Sequence, residues 1–545
     1  MFKLATIRKV FNPPRSIRVA WISGAILGLA CVALALAFVA NDFQSLRGWV
    51  SFAQVLLLGG GILGAGWWLM RSEMPPRWLG FLIIAAALLR LAAGAVWFVA
   101  LPSMGHGNPA EKDGYVMADA QTRDQSAWRL AQSDNPLTYA FTKQSFRKDD
   151  QYGSLLLISA AIYRYLGGDT HQPLQMVAIT AAFSSLAILF TWAFARRAWG
   201  RKPAWLAAWI LALFPEAVLL GSSQMREAFV ITFAAVAFYG LVRFSQERSG
   251  ISLAWIMVPL LLNLPLSPPL TALLMAMLFL TALSLGRKLL GERALRDPRF
   301  WFIAGGVVIL VLAGLWLAGR QFAPQGDFNP VESVSWWLRK SAEWQAYLSR
   351  RASGWIQKIF RSTPEWTHVP LLVSYGVFQP FLPAALIASS EAPIWHWMAI
   401  WRAVGWIVLL PALLYAPLRA LTKKTASRFT IGLALVAWLA ILAASYRAGG
   451  DEWDNSRYRV AFASLLAGLV AWVWMEQIRG QDAGFRRTLV GVGLFLAWFL
   501  PWYLQRYLHI PWPVGDIFKT LGLGIASLVL FVLWDWARTD LKRDT

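Results

Sequence analysis

The sequence predicts an all-α, polytopic membrane protein with about fourteen transmembrane helices in a single integral membrane domain, residues 1–545. Three observations predict this. The composition is 57% hydrophobic and only 15% charged, outside the range of soluble domains. Apolar runs of about 20 residues recur from end to end, each long enough to cross a bilayer as a helix. The formal net charge of +22 is patterned: Lys and Arg gather in short links, while acids collect in a few longer passages.

Met1–Arg18 carries Lys3, Arg8, Lys9, Arg15 and Arg18 and no acid, which predicts a cytoplasmic N-terminus. The run 19–40 is too long and uniform for a signal-peptide core and is read as span one. Spans 49–70 and 78–100 follow, bringing the chain out at 102–151, the first long extracytoplasmic loop. From Leu101 to Tyr152 it holds seven acids (Glu111, Asp113, Asp119, Asp124, Asp134, Asp149, Asp150) against six bases. A nearly neutral loop in so basic a chain belongs on the far side of the membrane. Inside it, Asp119–Ala131 has helical spacing, with Asp124, Ala127, Trp128 and Ala131 on one face and Asp119 and Arg123 as an i,i+4 pair. Tyr152–Leu166 is apolar but short, a helix for the outer interface.

Span 174–195 returns to Arg196, Arg197, Arg201 and Lys202, a cytoplasmic signal. Span 204–222 ends outside near Pro215, Glu216, Arg226 and Glu227, and span 228–243 goes back. Runs 252–264 and 267–285 form a hairpin around Pro265, Pro268 and Pro269, and span 300–319 leads to a second long extracytoplasmic region, 320–394. That region opens with Trp336, Trp337, Arg339, Lys340, Trp344, Arg350, Arg351 and Trp355, and its apolar part 371–390 is interrupted by Pro380 and Pro383, so it is read as re-entrant or interfacial. Spans 395–416, 429–447, 459–476, 488–505 and 516–536 complete the chain, with an acidic outer turn at Gly449–Arg457. Both termini are then cytoplasmic in a cell membrane, the bacterial inner membrane being the expected setting.

Several chemistries have no support. Cys31 is the one cysteine, so the chain has no intrachain disulfide and no thiolate metal site. No Walker-type glycine loop, His-Glu-x-x-His or Cys/His metal spacing occurs. No basic stretch forms a soluble face, which argues against nucleic acid as a partner. The five histidines are scattered and read as ordinary interfacial residues.

The candidate chemistry lies in the acid-rich passages, all predicted on one side. Arg226 and Glu227 sit at membrane depth, where charges are paired or functional. Arg457, Tyr458 and Arg459 place two guanidinium groups and a phenol where a lipid phosphate could lie, a match for bidentate arginine.

This arrangement resembles the GT-C superfamily of integral-membrane glycosyltransferases, which includes dolichyl-phosphate-mannose and aminoarabinose transferases. The matching parts, in order over roughly 78–476, are Asp119…Asp124-Gln-Ser-Ala127, Asp149-Asp150-Gln-Tyr152-Gly-Ser, Ala195-Arg196-Arg197-Ala-Trp-Gly200, Arg226-Glu227 and Arg457-Tyr458-Arg459. The resemblance implies a hexosyltransferase that moves a sugar from a polyprenyl-phosphate donor, embedded among membrane lipid, to an acceptor with inversion. It implies a first-loop aspartate as general base, Asp119 with Asp124 as competitor, and Arg457 and Arg459 on the departing phosphate, with the basic residues of 339–351 as second choice. Asp149, Asp150, Arg226, Glu227 and Tyr458 are carried over as substrate-binding positions. The chain departs from the pattern where Ala120 follows Asp119, where Tyr152-Gly153-Ser154 replaces a Tyr-Pro-Pro, and in two extra leading spans. No certain cofactor is implied, and a divalent metal is left open. A ligase or polymerase of lipid-linked oligosaccharides and a transporter or flippase of a lipid-linked glycan are the alternatives.

Overall fold

A computed structural model describes residues 15–42, 45–285, 360–387, 392–422, 428–449, 452–480 and 483–541, with isolated helical positions between 298 and 335. Among them the regular structure is entirely helical. Among the described residues, eight helices are long and apolar enough to cross a bilayer: α2 (Leu46–Leu69), α3 (Arg77–Met104), α9 (Pro173–Trp199), α12 (Glu227–Glu247), α17 (Pro393–Thr422), α18 (Arg428–Ala448), α21 (Ala483–Leu508) and α22 (Ile517–Leu541). The chain is a multi-pass membrane protein.

The expected number of about fourteen spans is not confirmed among the described residues, and several of the expected runs take other forms. Helices also form at α1 (Arg15–Val39), α13 (Gly250–Asn263) and α14 (Pro268–Leu285), and α13 is short. The 14 residues of α13 reach about 21 Å, less than a hydrocarbon core of about 30 Å. The run 459–476 becomes α20 (Ala463–Gly480), whose last turns carry Glu476, Gln477 and Arg479. Span 204–222 is broken into α10 (Arg201–Leu213) and α11 (Pro215–Gly221), bent by 54°. The predicted span 300–319 and the Trp/Arg-rich stretch 336–355 lie outside the described residues, apart from isolated positions.

Two helices form the axis. The apolar window of α9 is 94% buried and that of α12 83%, whereas α21 and α22 are each 17% buried and pair as a peripheral hairpin. Small side chains on α9 (Ala178, Ala181, Ala182, Ser184, Ser185, Ala187) let α2, α3, α10 and α12 approach its backbone closely.

The break at Pro215 has a chemical cause and a repair. Proline has no N–H to give the carbonyl four residues back, Leu211. Arg90 of α3, fully buried, donates from Nη2 to Leu211 O at 3.3 Å and from Nη1 to Ala212 O at 3.4 Å. Gly221 makes room for it, since a Cβ there would stand 2.7 Å from Arg90 Cδ.

The loop 102–151 folds into α4 (Pro109–Lys112), α5 (Ala118–Ala131), α6 (Tyr139–Thr142) and α7 (Gln144–Asp149), followed by α8 (Ser154–Leu166). The predicted amphipathic helix is α5, and it lies on α8 through Ala127, Leu130 and Ala131. Arg164 of α8 caps its end, donating to the carbonyls of Leu130, Ala131, Ser133 and Asn135. The interrupted run 371–390 forms α15 (His368–Phe378) and α16 (Leu382–Ile387), parted at Gln379–Phe381 as its prolines predict.

Polar residues cluster at the two ends of α12. At its C-terminal end Tyr239 and Arg197 donate to Glu73 Oε1 at 2.8 Å, and Arg197 also meets Glu247 at 2.7 Å. Its N-terminal end begins with Glu227 and faces the folded 102–151 loop.

Candidate functional site

The site is assembled where α12 starts, from four separated pieces of chain. The last helix to arrive is α19 (Glu452–Val460), which carries Arg457. Arg457 Nε donates to Glu227 Oε1 at 2.6 Å, and Nη1 lies 3.5 Å from Asp119 Oδ2. Glu227 is buried, with 1% of its side chain exposed, and Arg457 nearly so at 10%, while Asp119 is 61% exposed. One guanidinium therefore bridges a deep carboxylate and a shallow one.

Beside this bridge lies a second one. Asp150 caps α8, accepting from Leu156 N at 3.1 Å through Oδ2. Its Oδ1 faces Arg123 Nε at 3.6 Å and Arg226 Nη2 at 3.9 Å. Arg123 also reaches Gln224 O at 3.5 Å, so it is turned toward Asp150 and not into the i,i+4 pair with Asp119 that helical spacing predicted. A tertiary partner in the buried interior has outcompeted the weak pair available along the helix surface. Burial lowers the Arg123 pKa, against the pull of Asp150. Arg226 stacks on Tyr152, its Cζ 4.9 Å from the ring centre, and burial pushes the Tyr152 phenol up to about 12 despite that cation. Three arginines thus meet three carboxylates, Asp119, Asp150 and Glu227. Tyr458 adds an aromatic wall, with the Cζ atoms of Arg447 and Arg457 at 5.6 and 5.8 Å from its ring.

Gly153 explains one departure from the resembled pattern. Its φ of +76° is closed to proline, and a Cβ would lie 2.5 Å from Ala140 O. The next residue ties the turn down, Ser154 Oγ donating to Pro265 O at 2.7 Å.

Asp124 occupies a different environment. It is 1% exposed, and both its oxygens are taken: Tyr163 donates to Oδ1 at 2.6 Å, Tyr115 to Oδ2 at 2.8 Å, and His171 Nε2 lies 3.0 Å from Oδ2. Trp128 stacks on His171 at 5.3 Å. Burial first, then the Asp124 charge, raise the Tyr115 pKa well above its ordinary value, so the phenol stays a donor. This carboxylate holds α5, α8 and the start of α9 together. Asp149, the neighbour of Asp150, accepts from Ser126 and meets Arg129 at 3.3 Å, away from the Arg457 bridge.

Arg457 and Arg459 are not brought together. Arg459 is 1% exposed, its Cζ 3.3 Å over Trp406, and Nη2 donates to Gln379 O at 2.8 Å. Charge close to it comes from Glu216 and Arg402, themselves paired at 2.9 Å.

Sequence reasoning missed Arg123 as a site residue, and with it Tyr115, Tyr163 and His171. The phenols and the imidazole carry no local signal, because they meet Asp124 only after the loop folds. As for a divalent metal, among the described residues no three His, Cys, Asp or Glu side chains converge to hold one. Both Asp119 and Glu227 are turned to Arg457.

No protein-family model and no curated protein matches this chain. Among solved structures, the apo oligosaccharyltransferase of Archaeoglobus fulgidus aligns with a TM-score of 0.41 at 13% identity, over 84% of this chain and 56% of that one. Archaeal oligosaccharyltransferase AglB from the same organism, in complex with an inhibitory peptide and a dolichol-phosphate, aligns with a TM-score of 0.37 at 15% identity, over 83% of this chain and 56% of that one. The chain thus matches little more than half the length of these proteins. Likeness at this level assigns neither activity nor substrate.

Proposed function

We propose that the chain is a GT-C-type membrane glycosyltransferase that moves a sugar from a polyprenyl-phosphate carrier to an acceptor hydroxyl at the extracytoplasmic face, with inversion. The observation that carries this reading is the meeting of exposed Asp119 with Arg457, which is anchored in turn on buried Glu227. It sets a candidate base beside a candidate phosphate cation at the head of a membrane helix. In the reaction, the acceptor oxygen bonds to the anomeric carbon while its proton passes to Asp119. The bond from that carbon to the phosphate oxygen breaks, and Arg457 balances the charge on the departing polyprenyl phosphate.

Asp119 is the better base than Asp124. Its carboxylate is accessible, whereas both oxygens of Asp124 are occupied inside the fold. Arg459, buried on Trp406, serves the α17–α19 packing in this reading, and Arg226, Arg123 and Tyr152 line the carrier side. Buried charge within the spans argues against a transport pathway where its partners are known: Arg90 is occupied by backbone carbonyls and Arg402 by Glu216.

The test is transfer or hydrolysis of labelled polyprenyl-phosphate sugars by the purified full chain in detergent. Asp119→Asn should lower turnover by about 100-fold or more while the protein elutes and melts as wild type does. Full activity in Asp119→Asn would remove the loop acid from the mechanism. Inactivity of the wild type on every carrier sugar, beside working controls, would point to pyrophosphate-linked donors or to transport.

A further inference from the structure

We propose that Arg457 is a shared cation: it holds Asp119 in the resting protein, and the carrier phosphate takes its Nη1 and thereby frees the Asp119 carboxylate to act as base. This rests on the donor-site reading above and adds an order to it, with donor bound before the base is competent.

The two carboxylates on Arg457 are unequal. The Nε contact to Glu227 is short, 2.6 Å, and lies in the interior, where breaking a pair leaves a buried charge uncompensated. The Nη1 contact to Asp119 is 3.5 Å and faces solvent, where an ion pair is weak and screened. A phosphate offers arginine closer and stronger hydrogen bonds than a carboxylate held at that distance. The contact that gives way is therefore the one to Asp119, and Glu227 keeps the guanidinium in place while it changes partners. Arg447, whose Cζ lies 5.6 Å from the centre of the Tyr458 ring, keeps positive charge nearby as the anion enters.

The arrangement also has a chemical use. While Arg457 Nη1 faces Asp119 Oδ2, that oxygen is turned to the cation and not to an incoming hydroxyl. Once the carrier phosphate is on Nη1, the hydroxyl proton goes to Asp119, the oxygen–carbon bond forms, and the polyprenyl phosphate leaves bound to the cation that had held the base.

The experiment is equilibrium binding of a labelled polyprenyl monophosphate to the full chain in detergent, comparing wild type, Asp119→Asn, Asp113→Asn and Arg457→Gln. Asp113 lies in the same loop and accepts from Gln121 and Gln125, outside the Arg457 bridge, so its variant controls for loop charge. The expected result is binding about two- to fivefold tighter in Asp119→Asn, the scale of an exposed ion pair, with Asp113→Asn unchanged and Arg457→Gln weakened. Unchanged or weaker binding in Asp119→Asn, with wild type and Arg457→Gln well separated, overturns the shared cation alone. Equal tightening in both Asn variants overturns it too, as a general charge effect. No binding by wild type, or equal binding by Arg457→Gln, overturns the donor-site reading and the switch with it.

Discussion

Arg457 and Glu227, 230 residues apart in the chain, form a 2.6 Å ion pair at the head of the central helix α12. The pair is enclosed: Glu227 is 1% exposed, and its other oxygen, Oε2, has no hydrogen-bond partner. Taking away one member of such a pair leaves a charge without compensation, at a cost of roughly 3–5 kcal/mol. Glu227→Gln should therefore lower the thermal midpoint in detergent substantially. Replacing both members, Glu227→Gln with Arg457→Met, should recover part of that stability while leaving the protein inactive. A single variant as stable as wild type would show that the pair does not anchor α19.

Asp124 should behave as a structural carboxylate. Asp124→Asn turns an amide toward donors that need an acceptor, leaving at least one buried group unsatisfied at about 1–3 kcal/mol. Tyr163→Phe removes one donor and should cost about 1 kcal/mol. Melting curves with turnover per folded molecule separate this from catalysis: stability should fall and specific turnover should hold. A folded Asp124→Asn protein that no longer turns over would make Asp124 the base in place of Asp119.

Much of this architecture was legible in the sequence because it follows from local periodicity and charge. The helix α5, the short apolar helix α8, the proline break of 371–390 and most long spans needed only hydrophobic spacing and helix breakers. The side-by-side placement of 102–151, Arg226–Glu227 and Arg457 followed from counting crossings. What the sequence hid is partner choice. Nothing near Arg123 says that it faces Asp150, 27 positions on, and not Asp119, four positions back. His171 read as an interfacial residue because Asp124 is 47 positions away. Arg457 and Arg459 looked like one phosphate clamp in sequence, but two residues along a helix do not face the same way. The expected number of spans is not confirmed among the described residues, where one expected crossing is a proline-bent pair and others are short apolar helices.

Tyr152 gives a pH dependence with a definite sign. Its phenol is held neutral by burial, with a pKa moved from 10.0 up to about 12. Between these values the unfolded chain releases the proton and the folded chain keeps it, so stability falls as pH rises. The contribution is fully present below pH 10 and lost by about pH 12. Tyr152→Phe should flatten the decline of the thermal midpoint across that window and leave the curve below it unchanged in slope. A wild-type midpoint with the same slope as Tyr152→Phe throughout would mean that the phenol does not titrate in this range.

The Arg90 and Pro215 pair makes the last prediction, and the variants test cause against coincidence. Arg90→Met keeps the volume of the buried stem but withdraws the donors that serve Leu211 O and Ala212 O. Each buried carbonyl left bare costs about 1–3 kcal/mol, so the single variant should melt well below wild type. Pro215→Ala restores a main-chain N–H that can serve Leu211 if α10 and α11 straighten, and it removes the ring that rests on Gly405, where a Cβ would come 2.5 Å from Pro215 Cγ. In that background the guanidinium has less to do, so Arg90→Met should cost less than it does alone. The difference between the two costs, read from a double-mutant cycle, measures the coupling of Arg90 to the break. Equal costs in both backgrounds would mean that Arg90 stabilises α3 by packing and that the bend at Pro215 is held by something else.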